Sequence, residues 1–387
     1  MTTSDEQVAL CALNKVFGFF PLLGRRLLEE RGGALAVFNG PRPQLREHPE
    51  LAEALTQETL EWARRELEQV RQRGFRFLGL YDEDYPEALA ACEDPPLGLY
   101  LNGVSSPTEI FGLRPLVAIV GTRDLSPYGR LWCQKLVQAL SRARVQPAVV
   151  SGLALGADGV AHQAALEEGL PTIGVMATGI DKIYPFQHES LAVSIAGTPG
   201  CALLTDYPLG TAPVALHFLR RNRIIAGLVS AVVVIESRTK GGSLMTAKYA
   251  CSYARDVFAL PGRLDDARSA GCNSLIASQM AQIIASPEQL VEDLGLGRGF
   301  GTGRGRPGVR NSPKTLREHL EGRFGASSAL VGIGMAIRDQ YGIMPDQLAT
   351  RLGLPIATVL EGIGLLEAEG IVTSDLLRRC SLTPAYI

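Results

Sequence analysis

The fold of this chain is decided by the segment LVAIV (116–120) and by five short apolar segments that follow it: AVVS (148–151), TIGVMA (172–177), ALLT (202–205), AVVVIE (231–236) and VFALP (257–261). Stretches with the apolar spacing of helices separate these segments. Apolar strands that alternate with helices are typical of a parallel sheet that is covered on both faces. The sequence therefore predicts an α/β domain with a doubly wound parallel sheet.

The regions on either side of the predicted sheet differ from it in composition. Residues 1–40 and 51–73 show the apolar spacing of short helices, and residues 82–94 read as an extended, acidic connector. Residues 295–313 contain seven Gly, four Arg and no acid. That composition predicts a flexible linker, and a nucleic-acid contact through its arginines is the alternative.

The C-terminal residues have the pattern of a helix–turn–helix. DQLATRLGL forms one predicted helix, and PIATVLEGIGLLEAEG, from Pro355 to Gly370, forms the next. This order predicts a winged-helix module. We thus predict four regions: an N-terminal helical domain (1–80), the connector with a Rossmann-like sheet domain (81–294), a Gly/Arg-rich linker (295–313) and the winged-helix module (314–387).

Composition narrows the class of protein. The chain has 387 residues, 46% of them hydrophobic, with 38 Lys and Arg against 40 Asp and Glu, which indicates a globular chain of two or three domains. No uncharged apolar run approaches the ~20 residues of a membrane helix, and the acidic N-terminus does not resemble a secretory signal. Seven scattered cysteines without a CxxC pair argue against disulfides and a zinc site. We expect a cytoplasmic protein with no membrane span and no bound metal.

Three of the predicted strands end in loops that are rich in glycine and hydroxyl side chains. They are GTRDLSPYG (121–129), SGLALGAD (151–158) and SRTKGGSL (237–244). The carboxyl ends of parallel strands meet at one edge of a sheet, where ligands bind, and helix N-termini there attract anions. These loops predict a phosphate-binding rim. Neither G-x-G-x-x-G nor G-x-x-x-x-G-K-[ST] occurs, so we expect no nucleotide cofactor.

The strongest local signal is the segment HFLRRNRIIAGL (217–228). Arg220, Arg221 and Arg223 stand beside Phe218, and residues 211–270 hold nine basic and four acidic residues. Charges for phosphates together with an aromatic face for bases are typical of single-stranded nucleic-acid binding. A solvated helix start, or salt bridges to nearby acids, is the alternative.

Three residues invite a catalytic interpretation. Asp158 and His162 are four positions apart on one predicted helix, and Glu236 ends a predicted strand. A helix cap for Asp158 and a buried hydrogen bond for His162 explain that pair better than catalysis does. Glu236 is either a general base or a partner for the arginine cluster. We expect no catalytic residue.

At this point the sequence resembles a known family, the bacterial DNA-processing protein A family (DprA, or Smf). The resemblance covers essentially the whole chain and rests on eight stretches: VAIVGTR (117–123), VVSGLALGADGVAH (149–162), TIGVMATGIDKIYP (172–185), RNRIIAGL (221–228), VVVIES (232–237), GGSLMTA (241–247), RDVFALPG (255–262) and GCNSLI (271–276). It implies a single-stranded DNA-binding protein that protects incoming DNA and loads the RecA recombinase during natural transformation. It also implies a homodimer formed through the Rossmann-like domain, and a SAM-like N-terminal domain.

The resemblance implies three groups of DNA-binding residues: Gly121, Thr122 and Arg123; Arg221, Asn222 and Arg223; and Gly241, Gly242 and Ser243. Together with Phe218, Arg220 and Lys240, these form the predicted site. Phosphates are expected along a basic rim of Arg123, Arg221, Arg223 and Lys240. Two positions depart from the family pattern. Leu155 replaces a frequent Lys or Arg, and GFFP (18–21) lacks the spaced glycines of a helix–hairpin–helix, which argues against duplex binding by the N-terminal domain.

The leading hypothesis is a non-enzymatic, single-stranded DNA-binding recombination mediator. The alternative from another class is a nucleotide-binding enzyme of the nucleoside-monophosphate phosphoribohydrolase type. Such enzymes need a PGG-x-GT-type loop, and this chain has KGGSLMTA without the proline. A third hypothesis is a transcription factor that binds duplex DNA through the winged helix.

Overall fold

The computed structural model describes residues 4–41, 45–297, 316–325, 328–339, 343–369, 371–374 and 380–382. The chain forms two compact units: Met1–Arg142 with Gln146–Leu290, and Ala143–Val145 with Val291–Ile387. Most of the predicted linker, 298–313, lies outside the described residues.

The first unit begins with five helices: α1 (Asp5–Phe17), α2 (Pro21–Arg31), α3 (Ala34–Asn39), α4 (Pro49–Glu53) and α5 (Gln57–Gln72). Side-chain caps start two of them, because the Ser4 hydroxyl accepts from the Gln7 amide and the Thr56 hydroxyl from the Thr59 amide. Helix α2 ends where Gly32 adopts a φ of 73°, a left-handed conformation that glycine takes without strain.

The rest of the first unit alternates strands and helices. Its elements are β1 (Arg76–Gly79), α6 (Glu87–Ala90), β2 (Gly98–Asn102), α7 (Pro107–Phe111), β3 (Leu116–Val120), α8 (Pro127–Ser141), β4 (Ala148–Ser151), α9 (Ala157–Glu167), β5 (Thr172–Val175), α10 (Glu189–Gly197), β6 (Ala202–Thr205), α11 (Ala215–Leu228), β7 (Ala231–Val234), α12 (Gly242–Ser252), β8 (Asp256–Ala259), α13 (Ala270–Ala277) and β9 (Gln282–Ile283). Helix α14 (Pro287–Asp293) follows.

All nine strands form one sheet in the order β1-β2-β6-β5-β4-β3-β7-β8-β9. The seven strands from β6 to β9 are parallel, and β1 and β2 add two antiparallel strands at one edge. The prediction of a mixed α/β fold on a mostly parallel sheet is confirmed, and the core is consistent with a Rossmann-like sheet. The six predicted strands are β3 to β8.

Two features of this sheet differ from the prediction. Strand β1 lies in the region predicted to be helical, and the acidic connector contains the short helix α6. Strand β9 has only two residues, which is too short for a clear period in the sequence.

The strand order creates a switch point at the centre of the sheet. From β3 the chain builds β4, β5 and β6 on one side, and it then returns through α11 to place β7 on the other side of β3. The loops that leave β3 and β7 therefore turn to opposite faces, and a crevice opens between them.

Buried polar contacts join the N-terminal helices to the sheet. The Asn14 amide donates to the Asp206 carbonyl at 2.9 Å and accepts from the Gly98 amide at 3.0 Å. On α11, Arg223 forms an ion pair with Asp206 at 3.0 Å, with side chains only 4% and 7% exposed. Arg223 also donates to the Asp94 carbonyl. These contacts place helices, connector and sheet in one unit.

The second unit contains α15 (Leu316–Phe324), α16 (Ala329–Asp339), α17 (Pro345–Leu352), α18 (Ile356–Ala368) and the antiparallel strands β10 (Val372–Ser374) and β11 (Cys380–Leu382). Its core includes Leu320, Ile333, Leu348, Val359 and Leu366. Among the described helices, none is by itself long and apolar enough to cross a membrane, although the pair Pro345–Leu352 and Ile356–Glu367, bent by 116°, meets that test jointly by length and composition.

The Arg223–Asp206 pair predicts a large stability effect. Replacing Arg223 by Ala leaves the Asp206 carboxylate buried without its cation, so we expect the free energy of unfolding to fall by about 3–5 kcal/mol in urea titrations. The matched control is Arg263→Ala, because Arg263 and its partner Asp265 are 81% and 68% exposed. The control should lose little stability, because water and salt screen an exposed ion pair, and losses of equal size in the two variants would contradict the prediction.

Candidate ligand-binding site

A pocket of about 540 Å³ lies at the switch point of the sheet. The loops that follow β3, β4 and β7 and one face of α11 line it. Ten of the twelve residues predicted from the sequence are in this lining: Gly121, Thr122, Arg123, Phe218, Arg221, Asn222, Lys240, Gly241, Gly242 and Ser243. Arg220 and Arg223 are absent from the described lining of this pocket.

The N-terminus of α12 opens into the pocket. Gly241 provides no side-chain cap, and the first turn of α12 contains no acidic residue. Ser243 is 7% exposed, and its hydroxyl has no hydrogen-bond partner within the described part of the chain. Free amides, a helix dipole and an unsatisfied hydroxyl together favour an anion at this position.

The loop after β3 is held firmly on the opposite side of the pocket. The Thr122 amide donates to the Glu236 carbonyl at 2.7 Å, and the Thr122 carbonyl accepts from the Ala157 amide at 3.1 Å. Gly156 has a φ of 80°, and a Cβ there would lie 2.3 Å from the Thr122 oxygen. Only glycine therefore fits where this loop meets the start of α9.

The fixed loop presents Arg123 at the mouth of the pocket. The Arg123 guanidinium lies over the Phe218 ring at 5.1 Å from its centroid, a cation–π contact. The edge of the Tyr184 ring meets Phe218 at 5.4 Å. Sequence reasoning did not include Tyr184, although it lies in the family-like stretch that ends at Pro185.

The exposed cations of the pocket come from the loops, and only one of them has a nearby carboxylate partner among the described ion pairs. Arg123, Arg238 and Lys240 are exposed. Arg238 pairs with Asp124 at 3.1 Å, and both side chains are more than half exposed. Such a surface pair is weak and screened by salt, so it competes poorly with a bound phosphate. The rim is therefore positively charged.

Arg221 lies in the floor of the pocket instead of on its rim. Its guanidinium donates to the Gly152 carbonyl at 2.6 Å and to the Val175 carbonyl. Burial lowers the pKa of Arg221 to about 10, while the nearby Asp158 carboxylate raises it. Burial likewise raises the pKa of Asp158, and Arg221 opposes that shift. Arg221 thus anchors α11 to the ends of β4 and β5 and keeps the floor polar.

Arg220 and Arg223 contact other parts of the unit. The Arg220 guanidinium donates to the Gly18 carbonyl at 2.5 Å and lies over the Phe19 ring at 4.3 Å, and Arg223 is held by Asp206. Consecutive helix positions differ by about 100°, so three arginines in four positions cannot share one face. The prediction that Arg221 and Arg223 belong to the exposed basic rim is therefore wrong, because both are buried. Arg238 is an exposed cation at the pocket that the prediction did not include.

Structural partners account for the three residues with a possible catalytic role. The Asp158 carboxylate accepts from the Ala154 amide at 3.4 Å and lies near the Arg221 guanidinium. The Glu236 carboxylate accepts from the Ser126 amide at 2.9 Å and from its hydroxyl at 2.5 Å, at the start of α8. His162 Nδ1 donates to the Thr172 hydroxyl at 2.7 Å, and that hydroxyl donates to the Val149 carbonyl. Within the described ranges, no group of three or more His, Cys, Asp or Glu is arranged to hold a metal ion.

Comparison with protein families gives an independent result. A family model described as DNA recombination-mediator protein A matches residues 76–295, which is more than half of the chain. The chain is 42% identical over 229 residues to Protein Smf of Synechocystis sp., covering 59% of this chain and 56% of that protein. It is 37% identical over 219 residues to DNA processing protein DprA of Streptococcus pneumoniae, covering 57% and 74%. The match thus spans little more than half the length of the Synechocystis relative.

Two solved structures resemble this one. The X-ray structure of DprA from Streptococcus pneumoniae has a TM-score of 0.59 at 29% identity and covers 76% of this chain and 98% of its own. DprA from Helicobacter pylori has a TM-score of 0.50 at 31% identity and covers 57% and 95%. The latter structure is described in terms of that protein's single-stranded DNA binding mode.

The buried His162 predicts a pH dependence of stability. Burial lowers its pKa from 6.5 to about 3. Below pH 6.5, His162 is therefore protonated in the unfolded chain but stays neutral in the folded chain. Between pH 7 and pH 5, His162 should therefore reduce the free energy of unfolding by about 2 kcal/mol. We expect urea titrations of His162→Gln to show a shallower decline over this range than those of the wild type. Parallel declines would contradict a neutral, buried His162.

Proposed function

Because the chain belongs to the DNA recombination-mediator protein A family, we propose that it binds single-stranded DNA in the pocket between the β3 and β7 loops. The observation that carries this proposal is the pairing of an uncapped helix N-terminus with an exposed basic rim in one pocket. The Helicobacter pylori relative, described as a single-stranded DNA binder, supports the same ligand.

The phosphate is seated at the start of α12. The Ser243 hydroxyl and the amides of Gly242 and Ser243 donate to its oxygens, while Lys240 and Arg123 supply positive charge from the rim. Backbone amides and point charges contact any phosphate alike, so they carry no sequence information. Binding is expected to be sequence-tolerant and strongly salt-dependent.

The aromatic side of the pocket favours single strands over duplexes. Phe218 lines the pocket beside Arg123 and Tyr184. A base can stack on the Phe218 ring only when it is unpaired and turned away from its neighbours. Sequence-independent stacking and phosphate contact together are the usual means of holding single-stranded nucleic acid.

We infer that the protein is a binder and does not catalyse a reaction. Both carboxylate oxygens of Glu236 are engaged by Ser126, and His162 is fully buried. A general base must reach a substrate proton, and neither side chain is placed to do so. The loop at the start of α12 also lacks the proline of the phosphoribohydrolase motif.

The cellular role belongs to the same proposal and is supported by family membership. We propose a cytoplasmic homodimer that protects single-stranded DNA entering the cell and loads the RecA recombinase onto it. The N-terminal helices are proposed to be a SAM-like domain. The second unit is proposed to be a winged-helix module, because its helices are followed by an antiparallel hairpin.

We propose that the second unit does not bind the DNA. Its last helix, α18, contains Glu361 and Glu367 and neither Lys nor Arg. Carboxylates are repelled by a phosphate backbone, and a recognition helix normally carries basic or amide side chains. Val359 and Leu366 of this helix are buried in the core of the unit.

Salt dependence tests the phosphate seat. The substitutions Lys240→Gln and Arg123→Gln should each remove about one phosphate contact. For a single strand, the slope of log K against log salt should therefore become shallower by about 0.7 in each variant. Fluorescence anisotropy with a labelled oligothymidylate over a range of NaCl concentrations measures this slope. Arg64→Gln is the matched control, because Arg64 is an exposed arginine on α5 that pairs with Asp5.

The slope of the control should equal that of the wild type. An unchanged slope in the double variant of Lys240 and Arg123 would show that the rim does not contact phosphates. Release of free base from AMP by the wild-type protein, above a buffer control, would instead favour the enzyme hypothesis.

Truncation tests the role assigned to the second unit. Removing residues 314–387 should leave the affinity for single-stranded DNA within a factor of about three, or less than ~0.7 kcal/mol, because the phosphate seat lies wholly in the first unit. Full-length and truncated proteins are titrated at the same salt concentration. A tenfold loss in a folded truncation would place a DNA contact in the removed residues.

A further inference from the structure

We propose that the loop after β5, residues 181–188, extends the pocket as a base-stacking surface for the nucleotides next to the one held at the phosphate seat. This inference rests on the proposed function, since it concerns the same ligand. It adds Tyr184 and Phe186 as stacking residues and Lys182 as a phosphate contact.

The loop exposes a cation and two aromatic rings. Lys182, Tyr184 and Phe186 are exposed, whereas Pro185 between the two rings is buried. Phe186 is 77% exposed and Tyr184 44%. The chain bends at Tyr184 and Pro185, and Phe186 begins a single 3-10 turn, Phe186–His188. The loop therefore presents to solvent the two kinds of side chain that hold single strands.

Hydrogen bonds hold the loop in this conformation. The Lys182 amide donates to the Gly179 carbonyl at 2.9 Å, and the Lys182 carbonyl accepts from the Thr178 hydroxyl at 2.5 Å. At the other end, His188 Nδ1 donates to the Leu153 carbonyl at 2.8 Å. An anchored loop loses little conformational freedom when a ligand binds, so exposed rings held on it are suited to stacking.

The exposed rings continue the aromatic side of the pocket. Tyr184 contacts Phe218 at a centroid distance of 5.4 Å, and Phe218 in turn carries the Arg123 guanidinium at 5.1 Å. The order Arg123, Phe218, Tyr184 thus leads from the phosphate rim along the loop towards Phe186. A single strand held at the rim meets these rings with its next bases.

The charges on the loop favour an anionic ligand. Lys182 is exposed between the two ends of the loop. Its neighbour Asp181 is engaged elsewhere, because its carboxylate pairs with Arg73 at 2.9 Å and accepts from the Gly210 amide at 2.7 Å. Aromatic rings interleaved with a cation are the means by which proteins hold single strands without sequence preference.

The experiment compares two oligonucleotide lengths. For Tyr184→Ala and Phe186→Ala, we expect the affinity for a long oligothymidylate to fall by between about fivefold and a hundredfold each, the range of stacking on one aromatic ring. The affinity for a dinucleotide that only fills the phosphate seat should change by less than about twofold. Tyr81→Ala is the matched control, since Tyr81 is an aromatic residue 61% exposed in another part of the unit, and it should bind both ligands as the wild type does.

Salt dependence separates stacking from charge. The two aromatic variants should keep the wild-type slope of log K against log salt, because they lose no phosphate contact. The slope for Lys182→Gln should be shallower by about 0.7. Phe186→Trp should retain binding, and its indole fluorescence should be quenched by oligothymidylate beyond the change seen in the wild type, which carries Trp62 and Trp132.

Three outcomes would contradict the inference, and each has a different meaning. If the wild type binds the long oligonucleotide but the Tyr184 and Phe186 variants bind it equally well, the stacking surface is wrong and the phosphate seat stands. If the wild type binds neither oligonucleotide, the proposed function itself fails. Equal losses for the dinucleotide and the long ligand would mean that the loop supports the pocket without contacting bases.

Discussion

The parallel pairing of β3 with β7 is the constraint on which the rest of the site depends. The register from Val117 opposite Ala231 to Val120 opposite Val234 ends both strands at the same level. Their loops then turn to opposite faces, which opens the crevice. The Thr122 amide and the Glu236 carbonyl join the two loops directly beyond the last pair, and the Glu236 side chain fixes the start of α8. The pairing of these strands therefore sets the position of the proposed anion site at α12.

Helix α11 explains how an arginine-rich segment can serve both folding and binding. Arg221 faces the pocket floor, and Arg220 and Arg223 face the N-terminal helices and the connector. The Arg221 guanidinium donates to two backbone carbonyls, and the Arg223 guanidinium donates to one carbonyl and one carboxylate. The planar, forked donors of arginine suit such divided contacts better than the compact ammonium group of lysine. The helix consequently joins three parts of the unit while leaving Phe218 at the pocket.

The internal strands can be predicted from the sequence because each is buried on both faces, and their loops can be predicted to converge because parallel strands end at one edge. The direction in which each arginine on α11 points cannot be predicted from the sequence. Three arginines in four positions cover different faces of the helix, and only tertiary packing decides which face is buried. Edge strand β9 is two exposed residues long, which leaves no periodic signal. The exposure of Tyr184 and Phe186 cannot be predicted from the sequence either, because aromatic side chains are often buried and only the fold shows that these two face solvent.

The burial of the α11 arginines also affects how genetic data on this segment are interpreted. A screen that scores loss of the proposed DNA binding would identify positions 221 and 223 as strongly as the proposed contact residues, because an unfolded protein and a protein that cannot bind give the same phenotype. Cellular protein level separates the two classes: substitutions at the exposed Arg123 and Lys240 leave abundance intact, whereas those at Arg223 deplete the protein through its degradation. The buried arginines of α11 are therefore expected to influence the lifetime of the protein in the cell.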